Sequence, residues 1–311
     1  KVSPGHADRA YALGVEAINE LVDLAARVGV EARRTPSLYV CDSADRAQDL
    51  RREFVTRRSI GLDVSWIDEA AMLARHGIRA FAGIKSTVAA CVDPFGLCHA
   101  LLGGTIRRGA LVHDRTSVVR ILPGATGVVL HTDRGPVVRA QYAIHASGYE
   151  ALEWLGKRVA SLHSTFAFVS EPLGAGVSSV AERCMVWEFS ETYLYARWFE
   201  DRLIIGGGDT GFRHSHARGR LVERKSRVLA RRARALFPGL SPEPAFSWAG
   251  TFASTRDGLA YIGAPKRGGR VLYALGFGGN GITYSVISRK ILGDLILGRE
   301  NPDGAVFAFD R

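Results

Sequence analysis

Long apolar runs are missing from this sequence. No stretch approaches the roughly 18 consecutive apolar residues of a membrane-spanning helix. Cysteine is scarce: Cys41, Cys91, Cys98 and Cys184 form no C-x-x-C pair and no zinc spacing. That excludes a disulfide scaffold and a zinc module, and it fits reduced thiols in the cytoplasm. No signal-peptide pattern, fixed-period repeat or low-complexity tract is visible. His214-x-His216 lies in a polar loop without a third ligand, so no metal site is expected. Acidic residues are in deficit, 31 against 41 Lys and Arg, for a net charge of +10. Much of the excess lies in His216–Arg234, "HARGRLVERKSRVLARRAR". Leu221, Val228, Leu229 and Leu236 recur there at roughly helical spacing, which reads as an amphipathic surface helix with a solvated basic face. No zinc finger, RNA-binding signature or basic zipper accompanies it, so no nucleic-acid partner is expected.

What is present is a mixture of βαβ-like pieces and a strand-rich block. Tyr11, Val15, Ile18, Val22 and Ala25 predict a helix from about Ala7 to Val28, stopped by Gly29. "SLYVCD" predicts a strand, Ser43–Arg58 a polar helix capped by Ser43, and Asp68–Gly77 a shorter helix. Asp93-Pro94 opens a helix running to about Arg108. Strands are expected at "ALVHD", "TSVVRIL", "TGVVLHT", "PVVRA" and "QYAIHAS". A second strand block begins near Ser164, where "TYLYARW" places Tyr193, Tyr195 and Arg197 on one face. After the basic helix come "AFSWAGTF", "LAYIG" and "RVLYALG", then a glycine loop and a helix from about Gly279 to Gly298.

That loop, "YALGFGGNGITYS", contains G-x-G-x-x-G as Gly276, Gly278 and Gly281. Glycines let a backbone approach an anion, and a helix N-terminus presents free N–H groups to it. A dinucleotide unit also needs a following strand ending in an acidic residue. Here the helix runs to about Gly298, and Asp303 sits in an "NPDG" turn. The loop is therefore a helix N-terminus suited to a polar or anionic ligand, or a tight strand–helix turn.

Four stretches in order resemble the FAD-dependent amine and amino-acid oxidoreductases of the D-amino-acid oxidase/glycine oxidase type. They are Asp93–Ile121, Gln141–Ala151, Tyr193–Asp209, and Trp248–Gly263 followed by the glycine loop. The resemblance implies an α/β (α+β) fold: an incomplete FAD-binding domain (1–36, 88–160 and 245–311) interleaved with a largely antiparallel substrate domain (37–87 and 161–244). It implies FAD contacts at Val118, at Ala146, Ser147 and Gly148, at Gly250, and at Gly276, Phe277, Gly278, Gly279, Asn280, Gly281 and Ile282. The glycine loop would then face the flavin's pyrimidine edge, where the helix dipole stabilises reduced flavin.

The resemblance also implies loss of hydride from a carbon beside an amine nitrogen, with later hydrolysis of the imine; no side-chain acid or base is required. Relatives acting on α-amino acids often carry Gly-x-Arg-Pro after the tryptophan strand, but here Phe252 stands at the arginine. A larger amine held against aromatic faces is expected instead, as in γ-glutamylated polyamine oxidoreductases, with Tyr193, Tyr195, Trp198 and Phe252 as candidate lining and Arg197 and Arg256 as candidate carboxylate partners. The family's opening βαβ lobe has no counterpart in the sequence. Either the chain is a piece of a longer product or it is a degenerate relative; weak FAD binding and poor solubility, or an oligomer or partner covering the gap, are expected. Two other readings stand behind this one: a non-catalytic binding or assembly domain and, ranked below it, a flavoprotein acting on RNA.

Overall fold

A computed structural model describes residues 3–174, 177, 180–212 and 214–311. In chain order its first elements are α1 (Pro4–Arg27), β1 (Ala32–Arg34), β2 (Ser37–Cys41), α2 (Ala44–Ser59), β3 (Val64–Asp68), α3 (Glu69–His76), β4 (Ala82–Ser86) and β5 (Ala90–Val92). Next are α4 (Pro94–Ile106), β6 (Val118–Pro123), β7 (Val128–Thr132), β8 (Val137–Ala140), β9 (Ala143–His145) and β10 (Ala160–Ser170). They are followed by β11 (Met185–Glu188), β12 (Leu194–Phe199), β13 (Arg202–Gly211), α5 (Ser215–Gly219) and α6 (Val222–Leu236). The last are β14 (Pro244–Thr255), β15 (Tyr261–Gly263), β16 (Val271–Leu275) and α7 (Gly281–Ile296). The chain forms two compact units, one of residues 1–32, 92–162 and 252–311, the other of 33–91 and 163–251. The last division falls at Thr251/Phe252, which puts Gly250 in the second unit.

In the first unit, α1 begins at Ser3, whose hydroxyl accepts from the His6 N–H at 3.3 Å. Its buried stripe, Leu13, Ala17, Leu21 and Ala25, joins Val286, Ile287 and Ile291 of α7 and Leu272 of β16 in one core. β16 pairs parallel with β9 and antiparallel with β15. β6, β7 and β8 form a separate antiparallel meander. Asp93 caps α4, its carboxylate accepting from the Phe95 N–H at 3.0 Å. α4 is apolar on most of its faces, yet only Leu97 is buried; Phe95 is 73% exposed. The expected strand "ALVHD" does not form. Among the described residues Ala110–Asp114 finds no strand partner, and Leu111 stands 83% exposed, so β-propensity acts on nothing.

The second unit is built on an eight-stranded sheet of order β14-β10-β13-β12-β11-β2-β4-β3. β11 and β2 run parallel, while β10/β13, β13/β12, β12/β11, β2/β4 and β4/β3 are antiparallel. One face carries Phe166, Phe168, Leu194, Ala196, Leu203 and Ile205, packed in one core with Leu229, Ala233 and Phe237 of the α6 segment. Each fully buried large side chain contributes about 1.5–3 kcal/mol. α6 is the amphipathic basic helix: Leu229, Ala230, Ala233 and Leu236 are buried, while Arg227, Arg232 and Arg234 pair with Glu223, Glu188 and Glu243. Val228, assigned to its apolar stripe by spacing, is exposed. α2 starts after Ser43, which has the extended backbone of an N-cap, but its hydroxyl accepts no N–H of the first turn, a correction to the expected cap. The four cysteines are free thiols, and burial pushes Cys184 up to about 12.

Candidate functional site

In the first unit, β9 and β16 run parallel with His145 opposite Tyr273. Both strands therefore release their chains at the same end. Ala146, Ser147 and Gly148 leave β9 there, and Gly276, Phe277, Gly278, Gly279 and Asn280 leave β16 beside them. The ends of parallel strands are where open α/β sheets bind ligands. Gly148, Gly276 and Gly278 adopt φ of 63°, 75° and 52°, conformations that other residues rarely reach. A Cβ on Gly276 would also meet Thr255 Cγ2 at 2.6 Å.

The end of β14 closes the loop from another side. Gly278 N–H donates to the Ala253 carbonyl at 2.9 Å, and Ser254 bridges to Phe277. This brings Phe252 and Arg256 into the loop's neighbourhood, with Phe252 partly buried and Arg256 exposed. α7 starts at Gly281 with no side chain capping its first N–H groups. Nothing lies within 4 Å of where a Gly281 side chain would begin, and Ile282 is exposed. The result is an open, uncapped, positive helix end beside a glycine cradle. Val118 is on β6, where it pairs with Thr132 and is 38% exposed.

Sequence reasoning missed His145. Its ring stacks on Tyr273 at 4.7 Å and lies 5.1 Å from Trp154, and among the described residues its buried Nε2 has no hydrogen-bond partner. Burial lowers its pKa and keeps it neutral next to Ala146.

In the second unit, Tyr193, Tyr195 and Arg197 occupy the sheet face opposite the α6 core, all partly buried. Trp198 does not join them. It falls in phase with Leu194 and Ala196, is 4% exposed, and lies in the core beneath the Arg183 guanidinium. Tyr195 lies across Gly206, where any Cβ would overlap its ring. Its hydroxyl bonds to Thr165, and Thr165 Cγ2 comes within 3.6 Å of where a Gly250 side chain would begin. Gly250 thus packs in this sheet, in the second unit. Burial, then Asp209, pushes Tyr193 up to about 12. Asp209 was legible only as the end of "RLIIGGGD"; its position follows from an irregularity in β13.

The model of the FAD dependent oxidoreductase family matches residues 1–295. The chain belongs to that family. FAD is its cofactor. A glycine oxidase of Geobacillus kaustophilus (strain HTA426) is 28% identical over 283 residues, covering 88% of this chain and 73% of that protein. A glycine oxidase of Bacillus licheniformis is 28% identical over 215 residues; this chain spans only 54% of its length, and the match covers 67% of this chain. The crystal structure of glycine oxidase from Geobacillus kaustophilus shares the fold, with a TM-score of 0.79 at 24% identity over 96% of this chain and 81% of that one. The residues present in the FAD dependent oxidoreductase chain fit one part of the cofactor. The uncapped α7 end and the glycine cradle suit an electron-rich edge of a bound flavin. Among the described residues, no helix is long and apolar enough to cross a membrane, and no group of three or more His, Cys, Asp or Glu is placed to hold a metal ion.

Proposed function

We propose that this chain, carrying FAD, oxidises the C–N bond of an amine or amino acid. The substrate carbon gives up a hydride while the nitrogen lone pair closes a C=N bond. Water then adds to the imine carbon and releases a carbonyl compound and an amine. FAD supplies the hydride acceptor when bound. The protein's own part is placement and charge. The first unit offers the uncapped N-terminus of α7 to negative charge, through Gly281 and the turn before it. The second unit offers the Tyr193–Tyr195 face to the substrate. His145, neutral and without a partner at Nε2, leaves no fixed charge at the end of β9. Gly276, Phe277, Gly278, Gly279, Asn280, Gly281 and Ile282, with Ala146, Ser147 and Gly148, and with Val118 and Gly250, are the proposed cofactor residues. Tyr193, Tyr195, Arg197, Phe252 and Arg256 are the proposed substrate residues.

The observation that carries this reading is the coincidence of the family match over 1–295 with an open glycine cradle at the helix end. The purified chain is mixed with FAD, freed of excess and scanned near roughly 370 and 450 nm, where oxidised flavin absorbs. Amines and amino acids are then added without oxygen. Retained flavin that bleaches with an amine or amino acid is the expected result. Flavin that none of them bleaches overturns the reading, and a chain that never holds flavin points to the non-catalytic alternative.

A further inference from the structure

β13 contains an irregularity opposite β10. Ser164 pairs with Thr210 and Phe166 with Gly207, so only Thr165 on β10 faces Gly208 and Asp209 on β13. This is a β-bulge, and Gly207 and Gly208 make it possible with φ of 131° and 62°. Bulges reset the alternation of a strand and re-aim the next side chain. Here Asp209 is turned to the tyrosine face, where the Tyr193 hydroxyl bonds its carboxylate. The Tyr193 and Tyr195 rings lie 6.0 Å apart, tilted by 37°.

The carboxylate is incompletely satisfied. Asp209 Oδ1 is buried, and among the described residues no donor reaches it. A buried carboxylate oxygen without a donor is costly, and a cation is the group that best repairs it. The described cations nearest in the sheet and on α6 make their contacts elsewhere. Lys225 reaches from α6 over the Phe166 ring and donates to the Gly208 carbonyl at 2.6 Å. It raises the local potential without bonding Asp209. Arg197 sits opposite Ile204, toward the other end of the β12/β13 pair. Among the described residues, none forms an ion pair with Asp209.

Resting on the reading above, we propose that Asp209, with Tyr193 and Tyr195, binds an organic ammonium group of the substrate and selects amines over carboxylates. The carboxylate accepts from the N–H groups, and the ring faces take the alkyl carbons next to the charge. The bulge glycines are the structural cost of placing that carboxylate, and Gly206 leaves the space in which the Tyr195 ring lies.

Titration calorimetry on the FAD-mixed chain tests this directly, with n-butylammonium as probe and butyrate as its charge-reversed counterpart. The expected result is that butylammonium binds and butyrate does not. Asp209→Asn should weaken butylammonium about tenfold or more, the loss expected for a charged hydrogen bond, at unchanged melting temperature. Tyr195→Leu, which keeps the carboxylate and removes a ring, should weaken it several-fold, and it serves alone if the Asn variant fails to fold. Equal binding of both probes, no binding of butylammonium, or wild-type affinity in the folded variants overturns the site. Bleaching of flavin by amines with Asp209 irrelevant to binding leaves the oxidoreductase reading standing without this site. Ammonium binding lost in Asp209→Asn, with no substrate bleaching flavin, leaves the site and removes that reading.

Discussion

Asp303 is 7% exposed and carries a carboxylate because Arg9 meets it twice, Nε to Oδ1 at 2.7 Å and Nη2 to Oδ2 at 3.0 Å. The same guanidinium reaches Glu16 at 2.8 Å, so one side chain ties α1 to the turn that follows Asn301. Hydrogen bonding from Arg9 holds the Asp303 carboxyl below the usual carboxylate range, outweighing the opposing effect of burial. A depressed folded-state pKa gives stability that is fully present above the unfolded value and is lost as pH falls through the folded one. Asp303→Asn should therefore cost about 1–3 kcal/mol at neutral pH, with Arg9 partly exposed and screened. The cost should shrink as pH falls below the ordinary carboxylate range. Urea titrations of both proteins at neutral and strongly acidic pH measure this; a penalty that stays constant with pH would mean that charge is not the source. None of this was visible in "NPDG", which announces a turn and no partner. The partner lies at the other end of the sequence, and only tertiary structure brings the two together.

The loop into α7 separates two roles that one sequence pattern merges. Gly276 is required by the fold: φ is 75° and a side chain would strike Thr255, so Gly276→Ala should destabilise the chain by about 1–3 kcal/mol. Gly281 has open space around it and stands at the first position of the helix. Gly281→Asp should stabilise the folded chain by about 0.3–1 kcal/mol, because a carboxylate complements the helix dipole. The same charge should weaken FAD several-fold if the helix end faces the electron-rich edge of the flavin. Thermal melts and flavin retention, read on one variant, should move in opposite directions; parallel movement would sink that placement. Local sequence was sufficient for the Asp93-Pro94 start of α4, the existence of α1 and the loop itself, since each depends on neighbours along the chain; of the stripe it named on α1 only Ala25 is buried, Tyr11 being exposed while Leu13, Ala17 and Leu21 face the core. It was insufficient for Asp209, whose aim depends on a bulge defined by the opposite strand. The pattern is also degenerate: Gly206, Gly208 and Gly211 form another G-x-G-x-x-G inside β13, which opens no helix.

At the scale of the whole chain, a positive charge of +10 is set against a broad exposure of apolar side chains. In the first unit Phe95, Leu111, Val112, Val119 and Ile144 are 73%, 83%, 51%, 57% and 47% exposed. Among the described residues, β9 has β16 on one edge and no strand on the other. Parallel strands are normally covered, and an uncovered edge with apolar neighbours is a site for association. Charge repulsion opposes that association over about 8–10 Å at ordinary ionic strength and fades as salt is added. The chain should therefore sediment more slowly at low salt and grow in apparent mass as salt rises, the reverse of an assembly held by ion pairs. Phe95→Lys and Leu111→Lys together should suppress the growth without lowering the melting temperature, since neither side chain is buried. Sedimentation velocity across a salt series reads both effects. An apparent mass that stays constant in the unmodified chain, or falls with salt, would mean that these apolar residues do not drive self-association.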